Sequence, residues 1–465
     1  MPFQLIDRDQ AENSVPLVLA TKGTADQAIS ELGGVAENWL TARDFKPGAG
    51  KHVLIPGADG ELSAVLVIVD DQPDIWSLSG LSKSLPDNAY HLECGLLTDL
   101  SEHDLQALVT GWAIGTYRFD RYKSIDAPTA RLVWPDGVYR QRVEQMAGAT
   151  SMVRDLINTP AEDMGPGALA DAAKALAADH GAECKVTTGT DLLDDNLPMI
   201  HAVGRAADRA PRLIDLTWGN EDHPKVTLVG KGVCFDSGGL DIKPASGMEL
   251  MKKDMGGAAN VLGLAKLVMG GNLPVRLRVL VPAVENAVSG NAFRPGDVLP
   301  SRKGLTVEIG NTDAEGRLIL ADALALAAEE EPDLLIDMAT LTGAARVAVG
   351  TELAAFMTDD EDIAAALNEC GAAQADPVWR LPLWQPYLKM MKSDVADLNN
   401  AGSGRFAGAT TAGLFLKEFV DGAGSWVHFD IMGYNSSARP GRPKGGEAMG
   451  MRTLDAYLRK RYGAR

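Results

Sequence analysis

Residues 226–244 read VTLVGKGVCFDSGGLDIKP, an apolar run that breaks off into glycine, lysine and acid. Positions 226–229 are all strand formers, and Gly230-Lys231-Gly232 follows at once. Short apolar runs bounded by glycine suit strands buried on both faces. The same pattern recurs on either side, with strands predicted over 213–217, 275–281, 334–338 and 426–431. Amphipathic stretches alternate with them, predicting helices over 168–178, 258–269, 318–330, 362–372 and 411–420. Strands alternating with helices imply a mostly parallel central sheet flanked by helices. Ligands of such sheets bind outside the carboxyl ends of the strands. Residues 230–232 and 339–343 (ATLTG) both fall at that edge.

The N-terminal third reads as a smaller α/β domain. Residues 17–20 (LVLA) and 63–69 (SAVLVIV) are strand candidates. Pro16 fits a strand's first residue and not the inside of a central strand. A helix over 104–117 buries Leu105, Leu108, Val109, Trp112 and Ala113. Residues 138–158 form one further helix, which Thr159-Pro160 ends. The domains expected are 1–137, a linking helix over 138–160, and a catalytic domain over 161–465.

The chain has 465 residues, 46% hydrophobic and 23% charged, with a net charge of −19. These values are ordinary for a globular protein with room for a large core. Residues 1–140 carry 20 Asp/Glu against 11 Lys/Arg. A nucleic-acid partner is disfavoured, because such proteins usually display a basic face. Cys94, Cys184, Cys234 and Cys370 lack disulfide or zinc-ribbon spacing. With no signal-like start and no apolar run of membrane-spanning length, a cytoplasmic protein without membrane contact is the reading.

Two acidic clusters stand out. Residues 311–318 read NTDAEGRL and set Asp313, Glu315 and Arg317 at alternate positions. Asp236, Lys231, Lys243 and Asp254 form the other group. Scattered over an acidic surface, these carboxylates are ordinary. Brought together, they repel unless cations neutralise them, and two divalent ions would do so while activating water and polarising a carbonyl. No histidine lies in either cluster, so HExxH-type zinc sites are excluded. Oxygen donors suit Mg or Mn and also hold Zn. Taken alone, Lys231 and Lys243 read as solvated lysines, or as cations that stabilise an oxyanion if caged. Arg317 reads first as a helix-start salt bridge. Cys234 reads as a buried structural thiol and His428 as a strand histidine. Phosphate-loop and GxSxG patterns are absent. A Mg-dependent phosphohydrolase or nuclease, and a DNA-binding or scaffolding role, remain the competing readings.

NTDAEGRLILADAL (311–324), VGKGVCFDSGGLDIKP (229–244) and MKKDMGGAANVLG (251–263) closely resemble the signatures of the leucyl (cytosol) aminopeptidase family. The resemblance covers roughly residues 150–465. It implies hydrolysis of the N-terminal peptide bond, of leucine or another apolar residue, through a hydroxide bridging two metals (Mn or Zn, with Mg as an alternative). Lys231, Asp236, Asp254, Asp313 and Glu315 match metal-ligand positions, with Asp236 and Glu315 bridging. Lys243 matches the residue that polarises the scissile carbonyl. Arg317 matches the residue that holds bicarbonate as general base. Met251, Thr340 and Gly343 match the pocket for the first side chain. Met432, in DIMGYN (430–435), stands where the family usually has a small residue. Peptide substrates and a homohexamer are further implications.

Overall fold

The computed structural model describes residues 2–11, 13–97 and 100–463. The chain divides into two compact units, residues 1–151 with 438–443, and residues 152–437 with 444–465.

The first unit is built on a six-stranded sheet ordered Leu5–Ile6, Arg131–Val133, Ala89–Glu93, Val15–Thr21, Leu62–Val69 and His52–Pro56. Every pairing is parallel except that of His52–Pro56 with Leu62–Val69. Leu62–Val69 has six consecutive buried residues, which explains its unbroken apolar sequence. Pro16 lies inside a central strand, against the expectation. It costs little there, because pairing with Leu62–Val69 begins only at Leu17. Helix Glu102–Gly115 starts on a Ser101–Asp104 capping box. Leu108, Val109, Trp112 and Ala113 are buried as predicted, whereas Leu105 is only half-buried.

The second unit carries a mixed nine-stranded sheet. Four neighbouring strands at its centre are parallel: Trp426–Asp430, Leu334–Ala339, Lys225–Gly230 and Arg276–Asn286. Antiparallel pairings lie outside them, through Ala354–Met357 on one side and Arg212–Trp218 with Glu183–Thr188 on the other. Leu334–Ala339 is buried at every residue. Helix Glu315–Ala328 packs Leu318, Leu320 and Leu324 into one core with Val229, Leu280 and Leu335. Helix Gly256–Gly270 closes on the strand Lys225–Gly230 at Gly230, where a Cβ would meet Ala258 and Val261. That close approach is why glycine ends this strand.

All five strands predicted for this unit are present, within a few residues of their expected ends. The helix expected from 318 begins at Glu315 instead. A further strand, Gly232–Asp236, follows Lys231 directly and pairs parallel with Arg276–Asn286. The stretch read as a glycine-rich loop is therefore a one-residue break between two strands.

Candidate active site

Lys231 and Asp236 stand at the carboxyl edge of central strands, whereas Asp254 comes from the short 3-10 turn Met251–Met255 and Glu315 and Arg317 from the first turn of helix Glu315–Ala328. Lys231 sits at the break after Lys225–Gly230, and its N–H donates to the Met338 carbonyl (3.0 Å), extending the ladder by one rung. Asp236 ends the next strand opposite Asn286. Asn286 Nδ2 donates to Asp236 Oδ1 (2.9 Å) and to the Thr312 carbonyl (3.1 Å), so one amide ties two segments together.

The chain then reverses. Gly238 and Gly239 have φ of +89° and +65°, the left-handed region that suits glycine. The Lys243 N–H donates to the Ser237 carbonyl (2.9 Å), which returns Lys243 to the edge. Thr312 stitches this loop to 311–318. Its Oγ1 donates to the Gly238 carbonyl (2.6 Å), and its N–H donates to Asp241 Oδ2 (2.7 Å).

The four carboxylates and two lysines converge. Oxygens of Asp236, Asp313 and Glu315 lie within 4.8 Å of one another. Lys231 Nζ is 2.8 Å from Asp254 Oδ2 and 2.9 Å from Glu315 Oε1. Lys243 Nζ is 2.8 Å from Asp236 Oδ2 and also pairs with Asp313. Asp254 is fixed from its other side by Thr340 Oγ1, which donates to Oδ1 (2.7 Å). Gly316 makes room for this: a Cβ there would stand 2.6 Å from Lys231 Nζ.

Burial and mutual repulsion shape the charges. Burial, with Asp236 and Asp254 beside it, pushes the Glu315 carboxyl up to about 8 against the pull of Lys231. Burial and the Asp236 charge push Asp313 up to about 6 despite Lys243. Burial disfavours the ammonium of Lys231, but Asp254, Glu315 and Asp236 outweigh it and hold its pKa above the usual lysine value. Both Glu315 oxygens are buried, Oε1 against the Lys231 ammonium alone and Oε2 with no partner. A buried carboxylate lacking donors is costly unless a cation stands beside it. Four carboxylates and an amine are a donor set that divalent ions fit, and Glu315 Oε2 has no partner in their place.

Lys231, Asp236, Lys243, Met251, Asp254, Asp313, Arg317, Thr340 and Gly343 all line one cavity of about 500 Å³. Glu315 lies just behind its wall, 1% exposed. Arg317 makes no helix-start salt bridge among the described residues. Its Nη1 donates to the Asn400 carbonyl (2.7 Å), while its buried Nε has no partner. Burial lowers its pKa to about 10. Asp430 accepts from Leu341 N (3.0 Å) and from Thr342 N and Oγ1 (3.0 and 2.6 Å), and so holds the 340–343 loop. Met432 is buried and outside the cavity lining. His428 is an interior strand residue bonded to Asp337 (2.6 Å), and Cys234 is buried with its thiol pKa raised by that burial. Sequence reading missed Lys253, Arg346 and Phe406, which also line the cavity. Only Lys253, next to Asp254, carried a signal.

Two family models match the chain: "Cytosol aminopeptidase family, catalytic domain" over residues 151–455, and "M17 aminopeptidase, N-terminal domain" over 15–135. Fold and site are together those of a two-domain α/β metallopeptidase. The chain belongs to the cytosol aminopeptidase family, whose members are metal-dependent aminopeptidases. The second match extends the likeness into the N-terminal domain, where the sequence motifs were silent.

A probable cytosol aminopeptidase of Geobacter sp. (strain M21) is 43% identical over 374 residues, 77% of this chain and 75% of that protein. The crystal structure of the Coxiella burnetii cytosol aminopeptidase superposes with a TM-score of 0.94 at 46% identity, covering 98% of this chain and 99% of that one. The bottromycin maturation enzyme BotP, solved in complex with Mn, has a TM-score of 0.87 at 33% identity, covering 96% and 99%. No helix among the described residues is long and apolar enough to cross a membrane.

Proposed function

We propose that this chain removes the N-terminal residue, leucine or another apolar one, from peptides, using two divalent ions held by Lys231, Asp236, Asp254, Asp313 and Glu315. The observation that carries this reading is the convergence of those five groups, with Lys231 the one cation against Glu315 and its buried Oε2 left without a partner. Bound there, the ions would supply a hydroxide nucleophile at neutral pH and Lewis acidity toward the carbonyl. Manganese is favoured by the Mn complex of the BotP relative, with Zn and Mg as alternatives.

The protein's own groups do the rest. Asp236 and Glu315, whose oxygens lie close to one another, would be the two groups shared between the ions, as the family resemblance implies. To serve as a ligand, Lys231 would have to bind as the neutral amine, which a neighbouring dication would favour against the acids that otherwise hold its proton. Lys243, on the cavity wall with 15% of its side chain exposed, polarises the scissile carbonyl and stabilises charge developing on its oxygen. Arg317 has an unclaimed Nε for a small oxyanion, which suits bicarbonate as a general base. Met251, Thr340 and Gly343 receive the first side chain. A cytoplasmic location agrees with the name its relatives carry. A homohexamer follows from the family resemblance.

The test is hydrolysis of leucine p-nitroanilide by metal-stripped protein, with Mn, Zn, Mg or nothing added back. Metal-dependent release is expected, with no action on a phosphate ester. A folded protein that binds two ions and releases nothing from the anilide would overturn the proposal.

A further inference from the structure

Five cationic side chains line the cavity: Lys231, Lys243, Lys253, Arg317 and Arg346. Lys231 and Lys243 are locked in ion pairs, and Arg317 donates to a carbonyl. The side chains of Lys253 and Arg346 make neither an ion pair nor a hydrogen bond among the described residues. Lys253 is only 2% exposed. A lone ammonium buried to that degree is strongly unfavourable without an anion.

The acids nearby are already engaged. Asp254 gives Oδ1 to Thr340 and Oδ2 to Lys231. Asp430 gives both oxygens to Leu341 and Thr342. Arg346 acts on Lys253 as a like-charged neighbour, so the two reinforce one positive field. The guanidinium of Arg346 folds back toward the start of its own helix, with Nη2 3.6 Å from where a Cβ on Gly343 would stand. The two cations therefore share one cavity with Met251, Thr340 and Gly343, Arg346 lying beside Gly343.

The geometry points to an anion subsite, formed by Lys253 and Arg346, that takes a substrate carboxylate, namely that of an acidic first side chain. This inference rests on the aminopeptidase reading above and widens its substrate class to peptides beginning with Glu or Asp. A peptide offers one other carboxylate, the C-terminus of a dipeptide. The side chain is favoured because both cations share the cavity with the residues assigned to the first side chain.

The test uses the full chain loaded with manganese and the variants Lys253→Met and Arg346→Gln. Arg346 is half-buried, so its variant stands in should Lys253→Met fail to fold. The wild type is expected to cleave both glutamate and leucine p-nitroanilides. Each variant is expected to lower the glutamate-to-leucine ratio of kcat/KM by about tenfold or more, the loss that follows from removing a charged partner. Calorimetric titration with glutarate should show binding to the wild type that is weakened by a similar factor in both variants.

Leucine cleavage without glutamate cleavage, or an unchanged ratio in both variants, would overturn the subsite. If the variants instead lose only a preference for Leu-Gly over its C-terminal amide, the side-chain assignment is overturned in favour of the C-terminal carboxylate. Glutarate binding lost in both variants, from a protein that cleaves no anilide, would support the subsite and sink the aminopeptidase reading.

Discussion

Replacing Lys243 with methionine keeps most of the side chain's volume and removes only its charge. In the structure Nζ lies 2.8 Å from Asp236 Oδ2 and pairs with Asp313 as well. At an effective dielectric constant of about 20, one such pair at 2.8 Å is worth roughly 6 kcal/mol before desolvation. Desolvation offsets most of that, yet stranding a buried partner typically costs about 3–5 kcal/mol. Lys243 keeps 15% of its side chain in contact with solvent, which favours the low end, about 3 kcal/mol. The metal-free variant should therefore melt roughly 3–5 °C below the wild type. Divalent ions replace the lost counter-charge, so manganese should close much of that gap and metal content should stay near normal. Catalysis should not recover. Loss of one preorganised group that stabilises an oxyanion lowers kcat by about 10²–10³-fold, or about 3–4 kcal/mol. The assays are melting with and without manganese, metal analysis of the purified variant, and steady-state cleavage of leucine p-nitroanilide. A fully metallated Lys243→Met enzyme with wild-type kcat would refute the carbonyl-polarising role.

Other outcomes follow from the same geometry. Asp254→Ala should cut metal occupancy, since it removes a proposed ligand and leaves Lys231 with Glu315 as its one close acid; a variant that retains both ions on metal analysis contradicts the ligand assignment. Gly316→Ala puts a methyl 2.6 Å from Lys231 Nζ and should cost about 1–3 kcal/mol of overpacking, with activity falling at least several-fold; an unaffected enzyme would mean that Lys231 need not hold its position. Asp322, buried beneath helix Pro198–Gly204, has its carboxyl pushed up to about 7 by burial, against the donors Arg302 N, Met199 N and Ile200 N. Because its folded pKa lies above the unfolded value, the stability it contributes is complete below about pH 4 and is lost as the pH rises through about 7. Urea-unfolding midpoints should thus fall toward pH 8 more steeply in the wild type than in Asp322→Asn, and equal slopes would rule out Asp322 as the titrating group.

The catalytic sheet was readable because its central strands bury both faces. Leu334–Ala339 is buried at every residue and Lys225–Gly230 at all but its first, so their sequences show little of the alternation a half-exposed strand would carry. The strands that escaped notice owe their state to partners. Glu183–Thr188 is a polar edge strand (ECKVTT) that exists by pairing with Arg212–Trp218, and Leu5–Ile6 is two residues laid against Arg131–Val133. The site was legible for a related reason, since Asp313, Glu315 and Arg317 share one run and Asp236 and Lys243 another. What holds those runs together was not. Asn286, Thr312, Asn400 and Asp430 act through hydrogen bonds that span fifty or more positions, and an isolated Asn or Thr announces no such bond. Arg317 was misread as a salt-bridge former because its actual partner is a backbone carbonyl at Asn400, which has no sequence signal. Lys253 is the reverse case: it stands beside Asp254 within 251–263, yet the sequence reading assigned it no role.

The most direct test of the proposed two-metal centre is an anomalous difference map from crystals grown with manganese. Two peaks are predicted at the carboxyl edge of the sheet, each about 2.0–2.6 Å from its ligands, with Asp236 and Glu315 touching both and Lys231, Asp254 and Asp313 completing the set. A single peak, or two peaks away from Glu315, would contradict the account.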